Sequence, residues 1–169
     1  NSHAYFQLQR DDVAPEGESK MVSTFTGPAV FTDAEKYQKI DFGDIAKDKA
    51  KFAKTADNGW LAMVQHYFVA ALVPQEKTQR EYYMRKVEGA NAFQDGLIVP
   101  LAEIAPGATG QTSVGLFAGP QEQAALKKLA AGLDLVVDYG WLTVVAAPIL
   151  WALEAIHSLV GNWGWAIVI

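Results

Sequence analysis

Short apolar runs alternate with turn signals from Tyr5 to about Phe117. This pattern is typical of an all-β sandwich, in which each short strand shows one face to the core. Strands are predicted at residues 4–9, 22–25, 29–31, 37–45, 82–87, 92–99 and 112–117. The segments between the last of these strands are rich in turn formers, namely Pro100, Pro106, Gly107 and Gly110.

Residues 60–73 fit two kinds of element. Apolar side chains recur at helical spacing at Trp60, Met63, Val64, Tyr67, Phe68, Ala71 and Leu72. Both alternating sets are also apolar enough for a strand buried on both faces, and periodicity alone does not separate the two. The aromatic residues and Pro74 at the end favour one long central strand.

A helix is predicted to open at Gly119-Pro120 and to run over residues 121–131. Proline suits the first helical position because its missing N–H would have no partner there. Glu122 near the start and Lys127 and Lys128 near the end match the helix dipole, and Gly132 supplies the stop. The helix is expected to pack on the sandwich through Ala125, Leu126 and Leu129.

The segment 141–159 is long enough for a helix and is mostly apolar. At 3.6 residues per turn one face collects Trp141, Val144, Val145, Pro148, Ala152, Ala155, Ile156 and Leu159. Glu154 and His157 lie on a narrow polar stripe and are close enough to share a hydrogen bond. A glutamate deep in lipid would cost about 2.5 kcal/mol or more, so a helix lying in the membrane interface is favoured over a transmembrane or a buried helix. Pro148 would bend such a helix without forbidding it.

The tryptophans of this region support the interfacial placement. Trp141, Trp151, Trp163 and Trp165 suit a depth where one ring edge is wet and the other apolar. Residues 163–169 are expected to be the first two turns of a membrane span. The 41 residues from Leu129 to Ile169 contain no lysine or arginine, which is typical of the non-cytoplasmic side. The chain is therefore expected to be a fragment, truncated at both ends, whose folded part lies outside the cytoplasm.

Composition narrows the class of protein further. Half of the 169 residues are hydrophobic and a fifth are charged, which is globular rather than disordered. The first 128 residues hold 14 basic and 16 acidic groups without a basic stripe, so a nucleic-acid partner is not expected. Cysteine is absent, which excludes disulfides and thiol catalysis within this sequence.

Candidate chemistry is weak along the chain. The histidines at 3, 66 and 157 are too scattered to suggest a metal cluster, and His66 is interpreted as a hydrogen-bonded structural residue. The aspartates at 41, 44 and 48 lack the glycine and the spacing of a calcium loop. Because no nucleophile, zinc-protease or phosphate-loop motif is present, neither an enzyme nor a cofactor is predicted.

Several sequence runs resemble those of a known family. They are TGPAV at 26–30, KYQKI at 36–40, GWLAMVQHYF at 59–68, GP at 119–120, LDLVVDYGW at 133–141 and IHSLVGNWG at 156–164. In this order they resemble the YidC-type bacterial membrane protein insertases over about residues 26–169. The resemblance implies a mainly β, partial β-supersandwich-type periplasmic domain with C-terminal helices, an amphipathic membrane-interface helix and a truncated transmembrane segment.

The resemblance also implies a function. Members insert and fold inner-membrane proteins, alone or with the Sec translocon, through a groove whose arginine would lie beyond Ile169. The fragment is therefore expected to lack the substrate groove and to be inert by itself. The implied partners are membrane lipid, nascent inner-membrane proteins and Sec translocon accessory subunits. A membrane-anchored periplasmic β-sandwich binding module for sugar or peptide is the alternative, and a structural spacer a weaker one.

Four regions and two sets of site residues follow from these arguments. The regions are a β-sandwich portion (1–118), a closing helix (119–132), a linker with the interfacial helix (133–160) and the start of a transmembrane helix (161–169). Membrane-interface residues are predicted at Trp141, Val145, Pro148, Trp151, Ile156, Leu159, Trp163 and Trp165. The candidate partner-contact helix presents Gln121, Glu122, Lys127 and Lys128.

Overall fold

The computed structural model describes residues 2–13, 25–137 and 143–168. Within these ranges the strands are β1 (His3–Asp11), β2 (Gly27–Thr32), β3 (Lys36–Lys39), β4 (Thr55–Ala56), β5 (Trp60–Val64), β6 (Phe68–Pro74), β7 (Arg80–Lys86), β8 (Ala92–Pro100) and β9 (Val114–Pro120). The helices are α1 (Phe42–Ala46), α2 (Gln123–Leu129), a short 3-10 helix (Leu133–Val136), α3 (Thr143–Val160) and α4 (Trp163–Val168). The prediction of a mainly β fold with C-terminal helices is confirmed.

The strands form two antiparallel sheets. The four-stranded sheet has the order β1-β8-β7-β4, and the five-stranded sheet has the order β3-β2-β5-β6-β9. Strand β1 alternates between exposed and half-buried residues along its whole length, because only one face of it meets the core. The two sheets enclose an apolar core to which both contribute. Its buried residues include Val30, Leu61 and Leu72 from the five-stranded sheet and Phe93 and Leu97 from the four-stranded sheet.

Strand β5 lies at the centre of the five-stranded sheet and is buried on both faces. Leu61 and Met63 point into the core between the sheets. Trp60 and Val64 point the other way, into a second core on the outer face of the same sheet. That outer face is covered by α2 and the 3-10 helix, so the molecule has helices on one side of a two-sheet sandwich.

The single long strand predicted at residues 60–73 is wrong. The segment is a hairpin of β5 and β6, in which Leu61 pairs with Leu72 and Val64 pairs with Val69. The Gln65 N–H donates to the Phe68 carbonyl at 2.8 Å and closes the turn. Strand β5 is buried throughout, and β6 contributes Leu72 to one core and Val69 and Ala71 to the other. This burial accounts for the continuous apolar pattern across a turn marked only by two polar residues.

Two other predicted boundaries move. Strand β3 ends at Lys39, whereas the predicted strand ran to residue 45. The Asp41 carboxylate accepts the Gly43 N–H at 2.8 Å and caps α1, so the chain leaves the sheet there. Of the strand predicted at 22–25, residues 22–24 lie outside the described residues.

The predicted opening of the closing helix is also wrong. Pro120 is the last residue of β9 and is paired with Phe68, so it does not occupy the first helical position. Glu122 is the N-cap of α2, and the helix ends at Leu129. Strand β9 thus extends three residues beyond the predicted end, because β6 continues to offer it a pairing partner.

Candidate membrane-facing and partner-facing surfaces

Helix α2 is held on the five-stranded sheet by one buried leucine and the segment that follows the helix. Leu126 is fully buried, and so are Leu133 and Val136 of the 3-10 helix. They pack against the outer-face residues of the sheet, which include Ala29, Trp60, Ala62, Val64, Val69 and Ala71. Of the three residues predicted to face the sandwich, Leu126 is buried, Ala125 is half-buried and Leu129 is exposed.

Trp60 ties the end of α2 to the centre of the sheet. Its indole N–H donates to the Ala131 carbonyl at 3.0 Å. The Phe31 ring stacks on the same indole with centroids 5.8 Å apart and an interplanar angle of 8°. The stacked rings of Trp60 and Phe31 therefore lie beneath the turn that follows α2, and Trp60 is hydrogen-bonded to it.

Gly132 is the residue at which that turn is made. Its φ of +74° is in the left-handed region, which favours glycine. A Cβ placed there would come within 2.6 Å of Cε2 of Phe31. Both the backbone conformation and the closeness of the ring require glycine at this position. The prediction that Gly132 ends the closing helix is wrong, because α2 ends at Leu129 with Ala130 as its C-cap, and Gly132 instead precedes the 3-10 helix as its N-cap.

The four predicted partner-contact residues divide into two groups. The Gln121 side-chain amide donates to the backbone carbonyls of Gln65 and Phe68, and its N–H donates to the Tyr67 carbonyl. Gln121 therefore stabilises the turn of the β5–β6 hairpin through hydrogen bonds to three of its carbonyl groups. The other three, Glu122, Lys127 and Lys128, are exposed.

Helices α3 and α4 carry the predicted membrane-interface residues. Trp151 is 73% exposed and Leu159 is 87% exposed, while Trp163, Trp165 and Pro148 are exposed as well. Ile156 is half-buried. Trp141 and the side chain of Val145 lie outside the described residues. Exposed apolar area of this density is unusual on the surface of a monomeric soluble protein.

The two helices meet in an ordered corner. The Gly161 N–H, at a φ of +68°, donates to the His157 carbonyl at 2.7 Å and ends α3. The Asn162 side chain accepts the Gly164 N–H at 2.8 Å and starts α4. The His157 ring stacks on the Trp163 ring with centroids 4.0 Å apart, so the contact made by this histidine crosses the corner. The orientation of α4 relative to α3 is therefore fixed by side chains.

Charge is nearly absent from this two-helix unit. Between residues 143 and 168 the only side chain that is fully charged at neutral pH is Glu154, which is exposed. None of the helices in the described residues combines the length and the apolar character needed to cross a bilayer.

The ionisable groups buried in the sandwich were missed by sequence reasoning. Arg80 is buried and donates to the backbone carbonyls of Asp57, Glu76 and Thr78. The neighbouring Tyr82 hydroxyl donates to the Asn58 carbonyl at 2.8 Å, and burial raises the pKa of this tyrosine while the Arg80 charge lowers it in part. These hydrogen bonds connect β7 to the loops at residues 57–58 and 76–78, so the two side chains have a structural role.

Asp95 is a buried carboxyl at a core-facing position of β8. Its register partners are Leu8 of β1 and Met84 of β7, and its carboxylate has no hydrogen-bond partner among the described residues. Burial raises the pKa of Asp95 to about 7. The alternating pattern of β8 could have revealed this position, since an aspartate falls where each neighbour two residues away is apolar.

The described residues contain no group of three or more side chains that could hold a metal ion. The histidines at 3, 66 and 157 lie on β1, in the β5–β6 turn and on α3 respectively.

Fold and surfaces together define a two-sheet β domain, closed by a helix and extended by an exposed apolar helix pair. The family model described as "YidC periplasmic domain" matches residues 1–152. The membrane protein insertase YidC of Dechloromonas aromatica is 79% identical over 99% of this chain. Those of Aromatoleum aromaticum, over 99% of the chain, and Cupriavidus necator, over 97%, are 58% and 52% identical. The chain belongs to the YidC family of membrane protein insertases. It spans about 30% of the length of these relatives (30%, 30% and 29%).

Proposed function

We propose that this chain is the periplasmic part of an insertase that inserts and folds inner-membrane proteins, alone or with the Sec translocon. In this proposal α3 and α4 hold the β domain against the periplasmic face of the inner membrane. Family membership supports the activity, since the relatives are named membrane protein insertases. The matched family model supports the compartment, since it describes a periplasmic domain.

The exposed apolar surface of α3 and α4 is the observation that carries the membrane contact. It includes Ile149, Leu150, Trp151, Leu159, Val160, Trp163, Trp165, Ile167 and Val168. Moving apolar surface out of water is favourable by about 25 cal/mol per Å². Burial of even part of this set in the headgroup region therefore gives several kcal/mol, and the tryptophan rings suit that depth.

The proposed organisation has four parts. The sandwich portion (1–118) rises from the membrane. In the closing helix region (119–132) the first two residues complete β9, and α2 covers the outer face of the five-stranded sheet. The linker and interfacial helix (133–160) descend to the lipid surface, and residues 161–169 lead toward the bilayer. The ordered corner at Gly161 supports a fixed angle between the last two parts.

The exposed side of α2 is the proposed contact for Sec translocon accessory subunits. Glu122, Lys127 and Lys128 supply charges of both signs on that side. The burial of Leu126 beneath them means that a partner would meet a rigidly seated helix. Nascent inner-membrane proteins are the proposed substrates of the whole protein, with no bond-making chemistry assigned to this chain.

Flotation with lipid vesicles tests the membrane contact. The 169-residue chain should float with the vesicles, and Leu159→Ser should reduce binding by roughly fivefold because it removes exposed apolar area from the contact. Leu116→Ser is the matched control, because Leu116 is also exposed, at 64%, but lies on β9 of the sandwich. Equal binding by the two variants would contradict the assignment of α3 and α4 to the membrane.

Restoration of membrane insertion tests the activity. In cells depleted of their own insertase, the full-length protein that contains this chain should restore insertion of an inner-membrane reporter, measured by its protection from protease. Normal accumulation of the protein without any restored insertion would contradict the proposed activity.

Site-directed crosslinking tests the α2 contact. The chain has no cysteine, so Lys128→Cys introduces a single thiol into it. A thiol at this position in the full-length protein should crosslink to a Sec accessory subunit. Lys86→Cys, on β7 of the opposite sheet, should not. Equal crosslinking from both sites would remove α2 as the contact.

A further inference from the structure

The α3–α4 surface is distinguished by its charge as well as by its exposed apolar area. We infer that this surface recognises a bilayer of zwitterionic headgroups and is repelled by anionic lipid. This inference rests on the proposed membrane contact and adds the chemical class of the lipid. Proteins that select anionic lipid do so with clustered lysine and arginine next to the membrane.

The segment that contains α3 and α4 has no such basic cluster and carries negative charge instead. Residues 129–169 contain no lysine or arginine and carry three carboxyl groups, those of Asp134, Asp138 and Glu154. The whole chain has a formal net charge of −5 at neutral pH, so the β domain does not supply a compensating positive field overall. Anionic headgroups would therefore meet a negative partner both locally and at long range.

The polar side chains around the corner are engaged within the protein. The Ser158 hydroxyl donates to the Ala155 carbonyl at 2.7 Å. The His157 ring is stacked on Trp163, and the Asn162 side chain accepts the Gly164 N–H. Glu154 is left as the charged group that α3 presents, and it is exposed.

Attraction to the bilayer then comes from neutral groups. The exposed rings of Trp151, Trp163 and Trp165 each combine an apolar body with one N–H donor, which can bond to ester or phosphate oxygen in any phospholipid. Because these contacts are common to all phospholipids, the net charge decides which surface is bound more tightly. A bilayer leaflet poor in anionic lipid is the occupant that fits both the apolar area and the carboxylates.

The test compares two vesicle compositions with the same 169-residue chain. One is phosphatidylcholine with phosphatidylethanolamine, and the other has part of the phosphatidylethanolamine replaced by phosphatidylglycerol. Binding to the anionic vesicles should be about fivefold weaker at low salt, as expected for one repelled charge at the surface. Added salt should restore binding to the anionic vesicles and leave binding to the zwitterionic vesicles nearly unchanged.

Variants at Glu154 assign the selectivity to its carboxylate. Glu154→Gln should lose most of the preference for zwitterionic vesicles and keep only the weaker repulsion from the more distant carboxylates, and Glu154→Lys should bind the anionic vesicles about fivefold more tightly than Glu154→Gln does. Glu122→Gln is the matched control, because it removes one exposed carboxylate from α2 and should keep the wild-type preference. Both Glu154 variants replace an exposed side chain, so they should fold as the wild type does.

The outcomes separate the two proposals. Wild-type binding that is equal on both compositions, or tighter on phosphatidylglycerol, would overturn the lipid selectivity while leaving the membrane contact in place. Binding to neither composition would overturn the membrane contact and the selectivity with it. Self-association of the chain in sedimentation, without flotation, would assign the apolar surface to a second copy of the chain and overturn both.

Discussion

The indole N–H of Trp60 lies 3.0 Å from the Ala131 carbonyl, although the two residues are 71 positions apart in the chain. This hydrogen bond joins the central strand β5 to the segment that follows α2. It links the centre of the five-stranded sheet to the turn between α2 and the 3-10 helix. Four predictions concern how this assembly is held together.

Trp60→Phe should lower the free energy of unfolding by about 2 kcal/mol. About half of the loss is the missing hydrogen bond and the remainder is the poorer fit of a smaller ring against Phe31. Urea denaturation followed by circular dichroism measures the change. Trp151→Phe, at an exposed position of α3, should change stability by less than about 0.5 kcal/mol. An unchanged midpoint for Trp60→Phe would contradict the anchoring role.

Leu126→Ala should cost about 3 kcal/mol, because it leaves a cavity under α2 where the leucine is fully buried. The matched variant Leu129→Ala removes the same atoms from a side chain that is 45% exposed and should cost less than about 1 kcal/mol. Both values come from denaturant unfolding. Similar losses for the two leucines would mean that α2 is not seated through Leu126.

Gly132→Ala should destabilise the fold by about 3 kcal/mol, through strain at positive φ and a clash with the Phe31 ring. Gly107→Ala is the matched control, since its φ is +82° and a Cβ there meets no atom within 4 Å. The control should cost only about 1 kcal/mol, the backbone part alone. Thermal unfolding of the two variants separates the clash from the strain, and equal losses would remove the clash from the account.

Asp95 should make stability depend on pH. Its pKa is about 7 in the folded protein, above the ordinary value of 3.8, so the folded state binds the proton more tightly than the unfolded state. The contribution of Asp95 to stability should therefore be fully present below about pH 4, fall as the pH rises toward 7, and be absent above that value, with a total change of at most about 4 kcal/mol.

Denaturation midpoints between about pH 4 and 8 measure this slope. Asp95→Asn should remove most of it, because the amide has no proton to lose over this range. Asp33→Asn changes an exposed aspartate and should retain the wild-type slope. A wild-type slope that persists in Asp95→Asn would assign the dependence to another group.

The β class of the fold could be predicted because most strands carry local signals. Strand β1 alternates in hydrophobicity over nine residues, and β8 is bounded by turn residues on both sides. Sheet order could not be predicted in this way. Strand β9 pairs with β6 across about forty intervening residues, and a strand's own sequence does not specify which partner lies beside it.

The errors at residues 60–73 and at Pro120 have a common physical origin. Tertiary burial made β5 and β6 apolar on both faces, so the turn between them had no strong local marker. Pro120 is acceptable at a strand end as well as at a helix start, and pairing with Phe68 decided between them. The hydrogen bonds of Gln121 to the hairpin were likewise invisible, because they join residues more than fifty positions apart.

The surface that Leu126, Leu133 and Val136 cover belongs to strands that precede them by many residues. During synthesis, domains form from the amino-terminal end onward as the chain emerges. Ala62 and Val64 therefore remain exposed to water until the segment that contains Leu126, Leu133 and Val136 has been synthesised and packs on them. Substitutions that delay the packing of this later segment should therefore reduce the yield of folded protein more than they reduce its final stability.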